Sequence, residues 1–134
     1  MAVILVIDDE KSIRNSLKEI LEFEKYEVDV AENGAEGYKL IKNGEYDLVI
    51  CDIKMPKMDG NELLTKVQSE DNPPKFIMIS GHGNIDTAVD SVKTGAFDYI
   101  PKPPDMNKLL ITVKNALENK SLKEETKVLK KRIE

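Results

Sequence analysis

The sequence predicts an α/β fold in which a five-stranded parallel sheet is covered by helices on both faces. Five short apolar runs alternate along the chain with five segments whose apolar residues recur with the period of a helix. Strands that alternate with helices form parallel sheets, because each helix returns the chain to the same edge of the sheet. The length of 134 residues suits one domain, and 40% hydrophobic with 34% charged residues is typical of a globular protein.

Each strand is predicted from an apolar run that is too short for a buried helix. Four of the runs are nearly continuous, as expected for strands that are buried on both faces, whereas the second alternates between polar and apolar residues. The predicted strands comprise residues 3–7, 27–30, 48–51, 76–79 and 97–100.

Each helix is predicted from apolar residues that recur on one helical face after the strand that precedes it. The residues on these faces are Ile13, Leu17, Ile20 and Leu21; Leu40 and Ile41; Leu63, Leu64 and Val67; Ile85, Ala88, Val89 and Val92; and Met106, Leu109, Leu110, Val113, Ala116 and Leu117. Turn and cap residues separate the elements: Asn33-Gly34 is a possible cap, Asp59-Gly60 reads as a turn, and Gly95 is expected to end the fourth helix.

The composition argues against several functional classes. No stretch approaches the roughly 18 apolar residues of a membrane span, and the apolar start has no basic flank of a signal peptide. The single cysteine, Cys51, cannot form an internal disulfide, which suggests a cytoplasmic protein. Residues 119–134 contain six Lys/Arg and three Glu, a net charge of +3. Because the net charge of the whole chain is −5, that of residues 1–118 is −8. An acidic body of this kind argues against direct binding to nucleic acid.

Polar residues follow four of the predicted strands. Asp8 and Asp9 follow the first strand, Asp52 ends the third, Ser80 follows the fourth and Lys102 follows the fifth. The carboxyl ends of parallel strands lie at one edge of a sheet, where open α/β sheets bind ligands. We therefore expect these five side chains to meet there.

Three carboxylates in one place need compensation, because pairs at about 4 Å repel by roughly 1–4 kcal/mol. A divalent cation together with the Lys102 ammonium would balance the charge, and all-oxygen ligation without His or Cys suits Mg²⁺. The chemistry that this permits is phosphoryl transfer to Asp52, with Ser80 donating a hydrogen bond to a phosphoryl oxygen. Taken singly, each residue has an ordinary structural role as a turn former, a helix cap or a surface lysine.

One combination of residues resembles the receiver domain of two-component response regulators: Asp8-Asp9, Asp52 with Pro56 and Asp59-Gly60, Ser80, and Lys102-Pro103. The resemblance covers residues 1–118 and implies a flavodoxin-like sheet of order 2-1-3-4-5. It also implies a cis peptide bond between Lys102 and Pro103.

The resemblance further implies a role for each residue of the site. Asp52 matches the phospho-acceptor, and the metal ligands would be Asp8, Asp9, Asp52 and the backbone carbonyl of Lys54. Ser80 and Tyr99 match the hydroxyl and the aromatic residue that rearrange on activation, and Lys102 matches the family's lysine. A sensor histidine kinase would be the phosphoryl donor, and the domain would act as a switch rather than as a turnover enzyme.

Residues 80–85 and 95–100 are most similar to the nitrogen-regulation type of receiver. That type is followed by a helical linker, an AAA+ ATPase that activates sigma-54 polymerase, and a helix-turn-helix domain. We therefore expect residues 119–134 to be a linker towards such an effector domain. Leu122, Leu129 and Ile133 have heptad spacing, which leaves two interpretations open: a solvated helical extension, or the start of a coiled coil that forms a homodimer.

Three other functions remain open from the sequence. An aspartyl-phosphate hydrolase would share the strand-end Asp and the lysine, but usually has a second Asp where this chain has Lys54. A flavodoxin-like cofactor binder would need a phosphate loop after the first strand, where Asp8, Asp9 and Glu10 would repel a phosphate. A stand-alone receiver that acts by docking to another protein is the closest alternative.

Overall fold

The computed structural model describes residues 2–55, 57–81 and 85–118, and within them all five predicted strands form one sheet. Neighbouring strands pair in parallel in the order β2-β1-β3-β4-β5, which confirms the predicted fold class and order. The expected linker or coiled coil at residues 119–134 lies outside the described residues. The strands are β1 (Val3–Ile7), β2 (Glu27–Ala31), β3 (Leu48–Asp52), β4 (Lys75–Ser80) and β5 (Asp98–Pro101).

The described part of the chain contains five helices, as predicted. They are α1 (Lys11–Phe23), α2 (Gly34–Asn43), α3 (Gly60–Gln68), α4 (Ile85–Thr94) and α5, which is described over residues 106–118. None of these helices is both long and apolar enough to cross a membrane.

Side-chain caps fix the start of two helices. The Asn33 carboxamide oxygen accepts a hydrogen bond of 2.9 Å from the backbone N–H of Glu36, which confirms the predicted cap of α2. The Asp59 carboxylate accepts one of 2.8 Å from the N–H of Glu62, so Asp59 is the N-cap of α3. The interpretation of Asp59-Gly60 as a simple turn was therefore wrong, because Gly60 is already the first residue of the helix.

Alternation along the strands divides the core between the two faces of the sheet. On β1, Ile4 and Val6 belong to the cluster that α1 and α5 cover, whereas Leu5 and Ile7 belong to the cluster that α2 and α3 cover. All four side chains are fully buried, and each such aliphatic side chain stabilises the fold by roughly 1.5–3 kcal/mol. The central strands are therefore held firmly up to their carboxyl ends.

The sheet reverses its order of strand addition between β1 and β3. The chain adds β2 on one side of β1 and then crosses to add β3 on the other side. The loops after β1 and β3 consequently run to opposite sides and leave a crevice between them, which is where doubly wound sheets bind ligands. Asp8 follows β1 and Asp52 ends β3, so both stand at this crevice.

Candidate functional site

The ammonium of Lys102 lies at the centre of a group of carboxylates at the crevice. Its Nζ is 2.9 Å from Oδ2 of Asp52, 3.2 Å from Oδ2 of Asp8 and 3.3 Å from Oε1 of Glu10. Residues that are more than forty positions apart in the sequence are therefore in direct contact. The expectation that Asp8, Asp52 and Lys102 converge is confirmed by this geometry.

Backbone hydrogen bonds hold these residues at the edge of the sheet. The Asp8 N–H donates to the carbonyl of Ala31 at 3.2 Å, which extends the β1–β2 pairing by one residue. The Lys102 N–H donates to the Ser80 carbonyl at 2.7 Å, which does the same for β4 and β5. The peptide bond between Lys102 and Pro103 is cis, as expected.

One oxygen of Asp8 has no hydrogen bond although the side chain is fully buried. Oδ1 of Asp8 accepts a hydrogen bond of 2.8 Å from the Glu10 N–H. Oδ2 lies within ion-pair distance of Lys102 but makes no hydrogen bond of acceptable direction in the described part of the chain. Among the described residues, the Lys102 ammonium is therefore the sole charge partner of Oδ2, which leaves this oxygen able to accept a further positive ligand.

The electrostatics of the crevice favour a bound cation. Burial raises the pKa of Asp52 from 3.8 to about 6; the hydrogen bond from Lys102 lowers it, and the charges of Asp8 and Asp9 raise it. Burial also raises the pKa of Asp8. Burial lowers the pKa of Lys102, but its hydrogen bond and ion pair with Asp52 outweigh this effect and raise the pKa above its usual value. The ammonium thus stays charged, and the carboxylates gain from additional positive charge.

The residues at the crevice fit the Mg²⁺ that the sequence predicts. One carboxylate oxygen from each of Asp8, Asp9 and Glu10 lies within 4.8 Å of the others, and the last two side chains are exposed to solvent. The buried carboxylate of Asp8 and the exposed carboxylates of Asp9 and Glu10 thus offer only oxygen atoms and are open to water on one side, as Mg²⁺ prefers. Glu10 was not among the ligands predicted from the sequence.

The remaining predicted residues lie around this group. Ser80 is buried at the end of β4, one residue beyond the register partner of Asp52. Tyr99 is half-buried on β5 and packs against the cluster that α2 and α3 cover. Lys54 is exposed on the loop after β3, two residues beyond Asp52. Their proposed roles as switch residues and as a carbonyl ligand stay predictions.

Most of the chain matches a known protein family. Residues 4–114 match the model of the response regulator receiver domain. The chain belongs to this family. The receiver domain therefore spans nearly the whole of the described chain, and the site at its sheet edge is the acidic crevice of a receiver.

Individual relatives have the same domain within longer proteins. The receiver is 34% identical over 126 residues to the regulatory protein AtoC of Escherichia coli, covering 94% of this chain and 27% of AtoC. It is 39% identical over 132 residues to an NtrX-like response regulator of Rickettsia bellii, covering 97% of this chain and 28% of that protein. The chain thus spans little more than a quarter of these relatives.

A solved structure supports the same relationship. The crystal structure of NtrX from Brucella abortus in complex with ADP superposes with a TM-score of 0.90 at 37% identity. The match covers 96% of this chain and 30% of that one. At this identity, the agreement extends to the sequence as well as to the fold of the receiver.

Proposed function

We propose that the receiver accepts a phosphoryl group on Asp52 from the phosphohistidine of a sensor histidine kinase. The observation that carries this proposal is the position of the Lys102 ammonium, 2.9 Å from Oδ2 of Asp52 and 3.2 Å from Oδ2 of Asp8. A cation placed beside the nucleophile can neutralise the charge that a phosphoryl group brings. The acidic crevice and the family membership support the same chemistry.

The transfer forms one bond and breaks another. A carboxylate oxygen of Asp52 attacks the phosphorus atom, the bond between phosphorus and the donor's histidine nitrogen breaks, and that nitrogen leaves with the electron pair. Asp52 needs no general base, because above its pKa of about 6 it is already ionised. Lys102 remains within reach of the new phosphoryl oxygens and neutralises part of their charge.

The acidic crevice would hold Mg²⁺ through Asp8, Asp9 and Asp52, with the Lys54 carbonyl as a further ligand. When it is bound, the ion supplies positive charge to the phosphoryl oxygens. The chain's own contribution is to keep Oδ2 of Asp8 buried and directed at the crevice, and to leave Asp9 open to water.

Phosphorylation would then act as a switch. It replaces one negative charge at Asp52 with about two and adds acceptor oxygens. The Ser80 hydroxyl, on the neighbouring strand, donates a hydrogen bond to one of these oxygens and draws its loop inward. Tyr99 on β5 turns into the space that this movement leaves, so the surface formed by α4, β5 and α5 changes.

The downstream partner in this proposal is an effector domain of the same protein. The matched region makes up 27% of AtoC and 28% of the NtrX-like relative, and the NtrX structure was solved with ADP. These observations support a longer protein with a nucleotide-binding effector domain, which we propose to be the sigma-54-dependent AAA+ ATPase of a cytoplasmic activator. Residues 119–134 would form the linker and contribute to a homodimer. Sizing the chain with and without beryllofluoride, a mimic of the phosphoryl group, tests whether the switch changes the dimer.

The alternative functions are weaker but testable. A phosphohydrolase would turn over small phosphate esters, and Lys54 stands where that class usually has its second Asp. A stand-alone receiver would switch in the same way but be encoded without an effector, so the length of the full gene product distinguishes it.

The decisive experiment labels the protein with a small phosphodonor in the presence of Mg²⁺. We expect one acyl phosphate per chain on Asp52 and no label on the Asp52→Asn variant. Equal labelling of Asp52→Asn would overturn the assignment.

A further inference from the structure

Arg14 makes a connection to the acidic crevice that was not expected from the sequence. It lies in the first turn of α1, and its side chain is only 11% exposed. Its Nη1 donates a hydrogen bond of 2.7 Å to the backbone carbonyl of Asp8. Its Nη2 is 3.8 Å from a carboxylate oxygen of Glu32, on the loop between β2 and α2.

The carbonyl that Arg14 binds belongs to the peptide group between Asp8 and Asp9. The orientation of this planar group sets the direction in which the following side chain leaves the backbone. The Asp8 N–H is fixed by Ala31, and its Oδ1 is fixed by the Glu10 N–H. The hydrogen bond from Arg14 fixes the Asp8 carbonyl, and with it the orientation of the backbone from which the Asp9 side chain departs.

The Glu32 side chain is 72% exposed, so its ion pair with Arg14 is weak, but the backbone of its loop leads into a fixed helix start. Glu32 directly precedes Asn33, the N-cap of α2. At the first residue of that helix, Gly34, the position of a Cβ atom would collide with the backbone carbonyl of Met58. The loops after β2 and β3 are therefore in close contact, and Arg14 ties the loop after β1 to them.

We propose that Arg14 is a positioning residue for Asp8 and Asp9, and that its hydrogen bond to the Asp8 carbonyl increases the affinity of the crevice for a divalent cation. The inference rests on the proposed function only for the identity of that cation, Mg²⁺. Removal of groups that orient metal ligands typically weakens metal binding by about 10–100-fold. Arg14 binds the backbone beside the carboxylates rather than a carboxylate oxygen, so the lower end of that range is expected.

The direction in which Arg14→Gln changes the affinity for Mg²⁺ distinguishes a positioning role of Arg14 from a purely electrostatic one. Arg14 carries a positive charge close to the acidic crevice, and by Coulomb repulsion alone its removal would strengthen the binding of Mg²⁺. Loss of the hydrogen bond, in contrast, loosens the carboxylates and weakens binding. The two effects thus predict opposite changes for Arg14→Gln.

The test is a calorimetric titration with Mg²⁺ of four proteins: the wild type, Arg14→Gln, Arg14→Lys and the control Lys18→Gln. Lys18 lies one turn further along α1, and its side chain makes no hydrogen bond or ion pair within the described part of the chain. We expect about tenfold weaker binding for Arg14→Gln, a smaller loss for Arg14→Lys, and wild-type or slightly tighter binding for Lys18→Gln. Unchanged or tighter binding by Arg14→Gln would overturn the inference.

Two further measurements distinguish positioning from misfolding and from a direct effect on phosphoryl transfer. If Arg14→Gln does not fold, Arg14→Lys keeps the charge, so weaker Mg²⁺ binding by that variant still reports geometry, and wild-type affinity overturns the inference. Phosphorylation at a saturating phosphodonor should need about tenfold more Mg²⁺ for half its maximal rate in Arg14→Gln, whereas the rate at saturating Mg²⁺ stays unchanged. Failure of Asp52 to be phosphorylated would refute the proposed function and leave the calorimetric result for Arg14 standing.

Discussion

Replacement of Asp52 by Asn should stabilise the metal-free protein while abolishing phosphorylation. Asp52 is only 4% exposed, and burial raises its pKa from 3.8 to about 6. A raised pKa means that the folded state disfavours the ionised carboxylate, so at neutral pH this charge destabilises the fold. Asn has nearly the same shape without the charge, and Lys102 keeps Asp8 and Glu10 as partners.

The pKa values give the size of the effect. Each unit by which the pKa in the folded state exceeds that in the unfolded state lowers the free energy of unfolding by 1.36 kcal/mol. The rise in the pKa of Asp52 from 3.8 to about 6 therefore destabilises the fold by about 3 kcal/mol at pH 7. The folded state takes up a proton at higher pH than the unfolded state does. The destabilisation is therefore fully present above pH 6, falls to about half near pH 5 and nearly disappears by pH 4.

Urea unfolding in EDTA, followed by far-UV circular dichroism, measures this difference. Asp52→Asn should unfold at higher urea than the wild type at pH 7, and the two midpoints should converge as the pH approaches 4. Added Mg²⁺ should stabilise the wild type more than the variant, because the variant lacks one ligand charge. A variant that is less stable than the wild type in EDTA at pH 7 would refute the electrostatic description of the crevice.

Three other outcomes follow from the structure. The affinity for Mg²⁺, measured by calorimetry, should fall about tenfold between pH 7 and pH 5, because protons compete for Asp52 below its pKa of about 6; a constant affinity would contradict this. Lys102→Met should slow phosphorylation by a small phosphodonor by about 10²–10³-fold, and a wild-type rate would show that the ammonium does not act on the phosphoryl group. Phe76→Ala should lower the free energy of unfolding by about 3–5 kcal/mol, since Phe76 is fully buried. The control Phe23→Ala, at a position 82% exposed, should change it by less than about 0.5 kcal/mol. Similar losses in both variants would contradict the assigned core.

The strands and the principal contacts of the site could be predicted because they depend on patterns that are local in the sequence. A buried parallel strand is a short apolar run, and its carboxyl end is marked by the first polar residue. This is why Asp8, Asp52, Ser80 and Lys102 could be placed at the right edge of the sheet from the sequence alone. The register then brings Lys102 to Asp52 across the intervening strand β4.

The residues that could not be predicted depend on side-chain direction rather than on pattern. Glu10 follows the acidic pair, and nothing in its position shows that its side chain turns back to Lys102. Arg14 is a polar residue of an amphipathic helix, so the periodicity alone assigns it to solvent, although it is nearly buried. Asp59 was interpreted as part of a turn because Asp-Gly is a common turn pair, and the same Asp can instead cap a helix, as it does for α3.

The central claim is that Asp52 is the phospho-acceptor of this receiver. Intact-mass measurement after incubation with a small phosphodonor and Mg²⁺ tests it most directly, with Asp52→Asn and a sample in EDTA as controls. We expect the mass increase of one phosphoryl group in the wild type with Mg²⁺ and no increase in either control. A phosphoryl group that appears on Asp52→Asn to the same extent would contradict the claim.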